Sequence, residues 1–340
     1  MTRIEKLQTT GIRRLGTPGR GFRYVTADGR APGPEDRDRI DALSIPPAWT
    51  DVVIAPSARG SLQAAGKDAA GRWQYRYHDA HVRRREEKKY ERIVHFAQAL
   101  PRMRRRVVAD LRGPGLGRER VLACILRILS TCFIRPGSQV YADENGSYGL
   151  ATLKHQHVRV KGDTVAFDFP GKSGKRQQRE IRDRRVARIV RQLLQERPPG
   201  HEVFWFLNDG GEVVDVRRRH INDYIKEAMG ERFSAKDFRT WAGTLICACA
   251  LARVGADAAE AKTARKRKVV AAVKETAEQL GNTPAICRSS YIYPQILDSF
   301  ERGRVVERYF DTVEDLVAHQ RASLHGAEKA LLELLKTKAA

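Results

Sequence analysis

Residues 118–134, RERVLACILRILSTCFI, constrain the fold more than any other stretch of this 340-residue chain. A helix at the surface keeps a polar stripe, but this segment is apolar on most faces. It therefore needs neighbours all round, and it is predicted to be the central helix of a mostly helical domain. Helical periodicity supplies the neighbours: YERIVHFAQALPRMRRRVVADL, REIRDRRVARIVRQLLQE, DVRRRHINDYIKEAM, KDFRTWAGTLICACALA, DAAEAKTARKRKVVAAVKETAEQLG and VEDLVAHQRASLHGAEKALLELLKT. Gly281 is the expected stop of the fifth.

The first 80 residues are patterned differently. Short β-like pieces, FRYVT, DVVIAP and WQYRYH, are separated by the turn-forming TADG, APGPED and IPPAW. The expected fold class is α+β: a β-rich domain over residues 1–82, then a larger, mostly α domain over 83–340. VRRREEKKY marks the exit from the first. Inside the larger domain, three alternating segments around GLATL, HVRVKG and VAFDFPG predict a small antiparallel sheet with GKSGK at one tip.

Charge narrows the partner. Lys and Arg number 63 against 41 Asp and Glu, a net charge of +22. That exceeds what solubility requires and points to a polyanion. The basic residues spread over the whole chain, and no run of about 18 apolar residues exists to span a bilayer. Nucleic acid is therefore expected rather than membrane. Four of the five cysteines lie in VLACILRILSTCFI and TLICACALA and none forms a CxxC pair. Buried, reduced thiols in an intracellular protein follow. MTRIEKLQTTGIRR has no apolar secretory core, so a cytoplasmic location is expected.

Several chemistries can be set aside. FDFPGKSGK ends like a phosphate-binding loop, but Ala166 stands where a Walker A glycine is required. The bland reading is a hairpin turn that puts Lys172 within reach of a ligand. DRDRID brings Asp36, Asp38 and Asp41 close in sequence, but Asp36 and Asp38 lie on different helical faces with arginines between, as in a solvated helix start. His155 and His157 flank one residue on a predicted strand with no acidic or cysteine partner nearby. No GxSxG elbow offers a serine nucleophile, and carboxylates are outnumbered wherever basic residues cluster, against a two-metal nuclease. No metal and no cofactor are expected.

An arginine, lysine and tyrosine set remains, and here the sequence resembles a known family. FIRPGSQVYADENGSYGLATL, FPGKSGK, KDFRTWAGT and GNTPAICRSSY are similar, in order and spacing, to the signature segments of type IB DNA topoisomerases of the compact poxvirus and bacterial kind. IPPAW and GRWQYRYHDAHV resemble that family's first domain. The resemblance implies a monomer that clamps duplex DNA, with Arg135, Lys172, Arg239, Asn282 and Tyr291 as the catalytic set. Tyr141, Lys236 and Arg288 match DNA-contacting or site-lining positions, as do Gln74, Tyr75 and Tyr77 on the WQYRY strand. Many relatives carry histidine where Asn282 stands. Asparagine keeps a hydrogen-bond donor there and excludes proton transfer.

The chemistry agrees with these assignments. A tyrosine with a pKa near 10 is a weak nucleophile, so its attack on phosphorus needs a strongly positive site. Two permanently charged guanidiniums can hold the non-bridging oxygens of the transition state without a metal. The leaving 5′-oxygen needs a proton, and a lysine among arginines can supply one. Taken singly, Arg135 could cap a helix, Asn282 could end one, and Tyr291 could be a core aromatic. Two rivals stay open: a tyrosine recombinase, which typically has H-x-x-R where this chain has Lys236-Asp237-Phe238-Arg239, and a noncatalytic nucleic-acid-binding protein.

Overall fold

The computed structural model describes residues 2–256, 261–318 and 322–337. In chain order the first elements are α1 (Arg3–Thr10), β1 (Ile12–Thr17), β2 (Gly21–Val25), α2 (Pro34–Ala42), β3 (Thr50–Ile54), β4 (Leu62–Lys67), β5 (Trp73–Tyr77) and α3 (Asp79–Asp110). The chain divides into two compact units between Tyr90 and Glu91, inside α3.

The first unit is one antiparallel sheet in the order β2-β1-β3-β4-β5. Strand alternation gives it two apolar faces. Val53, Ala55, Leu62 and Ala65 pack with Leu7 of α1 on one side. Val52, Ile54, Ala64 and Ile12 pack with Ile40 of α2 on the other. β1 and β4 were not among the predicted strands. IRRLGT carries two arginines, and LQAAGK is rich in residues of low strand propensity. Ala64 and Ala65 are nonetheless fully buried, one against each face's apolar cluster.

The second unit continues with α4 (Arg118–Cys132), α5 (Gln139–Asn145), β6 (Val158–Lys161), β7 (Thr164–Pro170), β8 (Arg176–Arg182), α6 (Arg184–Gln195), β9 (Trp205–Leu207), β10 (Val213–Asp215), α7 (Arg218–Met229) and α8 (Ala235–Val254). It closes with α9 (Lys262–Leu280), α10 (Pro284–Ser290), α11 (Pro294–Glu301), α12 (Val313–Ala318) and α13 (Gly326–Lys336). Every residue from Val121 to Leu129 of α4 is buried, packed by α6, α7, α8, β8 and β9. The central-helix expectation holds, with one addition: α8 is just as enclosed, buried without a break from Phe238 to Ala252.

The small sheet, β6-β7-β8, departs from the expectation. GLATL is not a strand; Leu150–Thr152 form a 3-10 turn. The third strand is RQQREIR, whose REIR end the sequence assigns to the following helix. It pairs with β7 over its full length, and Ile181 is its one fully buried side chain, so the apolar pattern carries almost no signal. Asp183 then caps α6, accepting from the backbone N–H of Arg185 at 2.9 Å and of Val186 at 3.2 Å. His155 and His157 likewise lie in a 3-10 turn rather than a strand. The expected C-terminal helix is two, α12 and α13, and the DAAE start of the α9 segment lies outside the described residues.

No described helix is long and apolar enough to cross a membrane. All five cysteines are free and buried.

Candidate active site

Arg239 is the pivot of the site. It lies in the second turn of α8, whose start is locked by Asp237: this carboxylate accepts from the Ser234 N–H at 2.8 Å and the Ser234 hydroxyl at 2.9 Å. Arg92 of α3 grips the same carboxylate through two nitrogens, at 2.5 and 2.6 Å. Arg239 itself is only 3% exposed. It spends Nη1 on the carbonyl of Phe133 and Nη2 on that of Leu280, the latter at 2.8 Å. Phe133 ends α4 in the left-handed region (φ 57°) and Leu280 is the last residue of α9. One guanidinium thus joins two helix C-termini, where unpaired carbonyls and the negative dipole end favour a cation. Its Nε is buried without a protein partner.

Arg135 follows two residues after Phe133. Its carbonyl accepts from Leu150 N–H at 2.9 Å, and the next one, of Pro136, from Ala151 N–H at 2.7 Å. This close contact depends on Gly149, where a Cβ would stand 2.5 Å from the Arg135 oxygen. The Arg135 side chain donates through Nη2 to Oδ1 of Asn282. Guanidinium nitrogens only donate, so this contact orients the amide and leaves Asn282 Nδ2 as the outward donor. That nitrogen is buried and has no protein partner either. Asn282 is held in place by its own N–H, which reaches Ala277 O at 2.8 Å past the Gly281 cap of α9.

Tyr291 terminates α10, with its ring 4.9 Å from the Arg239 guanidinium. Burial pushes its phenol pKa up, but Arg239, Arg135 and Lys236 outweigh burial and the net shift is downward. Arg239 is pushed the other way, to about 10, by burial first and then by Arg135. It stays charged at neutral pH. The backbone of Tyr291 lies directly on α8 at Gly243, where a Cβ would come within 2.8 Å of the Tyr291 carbonyl. Thr244 adds hydrogen bonds to this turn.

Four of the five sequence-predicted catalytic residues are therefore brought together: Arg135, Arg239, Asn282 and Tyr291. Lys172 is not in that contact set. It sits exposed at the tip of the β7–β8 hairpin, with Ser173 left-handed beside it (φ 61°), and no hydrogen bond or ion pair among the described residues holds it. The same hairpin does reach the site through β8, just past its tip: the Gln177 side chain packs on Gly281, and Arg179 Nη2 donates to Gln279 O at 2.8 Å. Arg179 is a third guanidinium near Arg135 and Arg239, and burial lowers its pKa ahead of the Arg135 charge. Sequence reasoning missed it because RQQREIR did not read as a strand. Gly243 and Thr244 were missed as well, being hidden inside an apolar helix.

Lys236 is exposed in the first turn of α8, Arg288 exposed in the last turn of α10, and Tyr141 59% exposed on α5. In the first unit, Tyr75 and Tyr77 share a face of the edge strand β5, their rings 6.1 Å apart. Gln74 points elsewhere and donates to Asp68 at 2.9 Å. Among the described residues, no three His, Cys, Asp or Glu side chains gather as a metal site would need.

Residues 79–325 match the family described as eukaryotic DNA topoisomerase I, catalytic core, and residues 21–68 match bacterial DNA topoisomerase IB, N-terminal domain. The chain is 31% identical over 308 residues to the DNA topoisomerase 1B of Acanthamoeba polyphaga mimivirus, covering 89% of this chain and 91% of that one. The chain belongs to the type IB DNA topoisomerases. Vaccinia virus (strain Copenhagen) DNA topoisomerase 1B is similar at 25% identity over 297 residues, 84% of this chain and 90% of the viral one. The topoisomerase match spans α3 to the start of α13 and so includes every residue of the second-unit site. This sets aside the recombinase and the noncatalytic reading together.

Proposed function

We propose that this topoisomerase relaxes supercoiled duplex DNA by reversible transesterification through Tyr291. The observation that carries the reading is the pair of buried, unpartnered donors, Arg239 Nε and Asn282 Nδ2, beside a tyrosine whose pKa is lowered. Buried donors without partners cost about 1–3 kcal/mol each, and a phosphate oxygen is the acceptor that suits both. Arg135, Arg239 and Asn282 then hold the non-bridging oxygens, and they stabilise the charge that grows there in the transition state. Tyr291 attacks as its phenolate. The Oη–P bond forms, the P–O5′ bond breaks, and Lys172 gives the leaving 5′-oxygen its proton. The 3′-phosphotyrosyl link conserves the bond energy while the cut strand swivels, and the 5′-hydroxyl reverses the step. On this scheme neither ATP nor a metal is required.

The enzyme acts as a monomer at the nucleoid, and Gln74, Tyr75, Tyr77, Tyr141, Lys236 and Arg288 contact the duplex. Incubation with supercoiled plasmid, followed by a denaturing gel, tests the scheme. Wild type should relax the plasmid in EDTA without ATP and leave protein covalently attached to a 3′-end. Tyr291→Phe should bind DNA and leave no adduct; an adduct formed by Tyr291→Phe would place the nucleophile elsewhere.

A further inference from the structure

β8 is polar but for Ile181, yet its residues alternate between two settings. Arg176, Gln178, Glu180 and Arg182 are exposed, while Gln177 and Arg179 are half-buried and Ile181 is buried. A period of two puts the last three on one face of the strand. On that face Gln177 and Arg179 meet the end of α9. Arg179 Nη2 donates to the carbonyl of Gln279 at 2.8 Å, and Arg239 takes the next carbonyl, of Leu280, at the same distance. Two guanidiniums, one from β8 and one from α8, thus hold consecutive carbonyls at the negative end of the helix.

Gln177 lies between two glycines. A Cβ at Gly171 would stand 2.7 Å from its Cγ, and a Cβ at Gly281 would meet its Oε1 and stand 2.8 Å from its Nε2. Gly171 precedes Lys172, and Gly281 precedes Asn282. One side chain therefore fills the space between the residue before the lysine and the residue before the asparagine. Its Nε2 donates to the carbonyls of Lys175 and Arg176, both at 3.3 Å, and Gly171 N–H reaches Lys175 O at 2.8 Å to close the loop. The β7 side is fixed separately, by Tyr148 N–H on Pro170 O at 2.9 Å. Lys172 has no side-chain partner of its own among the described residues, so its place depends on how this loop is seated.

A general acid has to come within about 2.6–3.2 Å of the oxygen it protonates, so a small displacement of the loop is costly. We propose that Gln177 is a positioning residue for the reaction, a role that rests on Lys172 being the acid. It is the spacer that seats the Lys172 loop against the Asn282 turn, so that the acid and the phosphate-holding amide meet one phosphodiester. Gln177 touches no reacting atom and acts through Lys172.

The test is single-turnover cleavage by the full-length protein, on a duplex with an ordinary scissile phosphate and on one with sulfur at the 5′-bridging position. Gln177→Ala should slow cleavage of the ordinary duplex roughly 10- to 100-fold, the scale of an ångström's displacement, at unchanged DNA affinity. Sulfur should restore most of that loss, as it should for Lys172→Ala, and little of the loss in Asn282→Ala. Gln177→Met keeps the length of the side chain and should keep most of the wild-type rate. Gln177→Asn, one methylene shorter, should show the alanine pattern to a smaller degree, and it serves if the alanine variant does not fold. Lys172→Ala/Gln177→Ala should be no slower than Lys172→Ala, because a spacer has nothing to place once the acid is gone. Full-speed cleavage by Gln177→Ala, a loss that sulfur leaves untouched, or additive losses in the double variant would overturn the role of Gln177 while Lys172→Ala still responds to sulfur. A Lys172→Ala variant that sulfur fails to restore would overturn the acid reading itself, and the role of Gln177 with it.

Discussion

The hydroxyl of Thr244 accepts the backbone N–H of Tyr293 at 3.2 Å, and it faces the carbonyl of Tyr291 at the same distance. Its single proton is shared between that carbonyl and Thr240 O at 2.8 Å. One fully buried side chain of α8 therefore spans the turn that carries Tyr291, the proposed nucleophile. With Gly243 beneath it, α8 supplies both a charge beside Tyr291, that of Arg239, and the seat on which Tyr291 rests.

Thr244→Val keeps the shape and removes the hydroxyl, and with it the hydrogen bond from the Tyr293 N–H. Single-turnover cleavage should slow roughly 10- to 100-fold, the scale of a displacement of an ångström at a reacting group, with DNA affinity unchanged. Thr244→Ser should restore most of the rate. Equal rates for the valine and serine variants would reduce Thr244 to a packing residue. Gly243→Ala should be worse than either, since its methyl group meets the Tyr291 carbonyl.

The pH profile follows from the phenol. Attack needs the phenolate, and Arg239, Arg135 and Lys236 bring the pKa of Tyr291 below 10 against the opposing effect of burial. Cleavage should therefore rise with pH and level off before pH 10. In Arg239→Gln the opposing burial has less to counter it, so the rising limb should move to higher pH. Rate profiles, checked against the tyrosinate absorption that Tyr291→Phe removes, would show this. An unmoved limb would mean that Arg239 does not tune the nucleophile.

The C-terminal helix is tied in by a buried ion pair. Glu328 of α13, 1% exposed, receives Arg104 through two nitrogens at 2.7 and 2.9 Å, with Trp241 Nε1 at 3.4 Å. Burial alone would raise its pKa, yet Arg104 and the other donors bring it below the usual carboxylate value. A depressed folded pKa stabilises above the unfolded pKa and is lost as pH falls through the folded one. Stability should thus drop below about pH 4. Glu328→Gln, which strands Arg104, should cost about 3–5 kcal/mol at neutral pH by denaturant melts.

What was legible in the sequence tracks how strongly burial is written into it. The α4 stretch needs neighbours on every side, and the Arg239 and Tyr291 segments carry motif residues at fixed spacing. β8 buries little more than Ile181, so its strand character comes from backbone pairing with β7 and leaves no apolar alternation to read. Arg179 went unseen with it. Thr244 sits in a run of Leu, Ile, Cys and Ala, where a small polar residue at a helix position looks like filler until its hydrogen-bond partners are known.

Lys172 stands apart from the other four, and its role is the sharpest to test. Arg135, Arg239 and Asn282 are tied to backbone or to each other, whereas Lys172 is exposed in a hairpin loop whose neighbouring residue Gln177 touches Gly281. As general acid it should matter to the leaving group and little to binding. Lys172→Ala should slow cleavage by about 10²–10⁴-fold or more, with near-normal DNA affinity. Replacing the scissile 5′-bridging oxygen by sulfur gives a leaving group that departs without a proton. That substrate should restore cleavage by Lys172→Ala and do much less for Arg135→Ala, whose contacts are to non-bridging oxygens. Equal rescue of both variants, or of neither, would remove Lys172 as the acid and leave it as a phosphate clamp on an exposed tip.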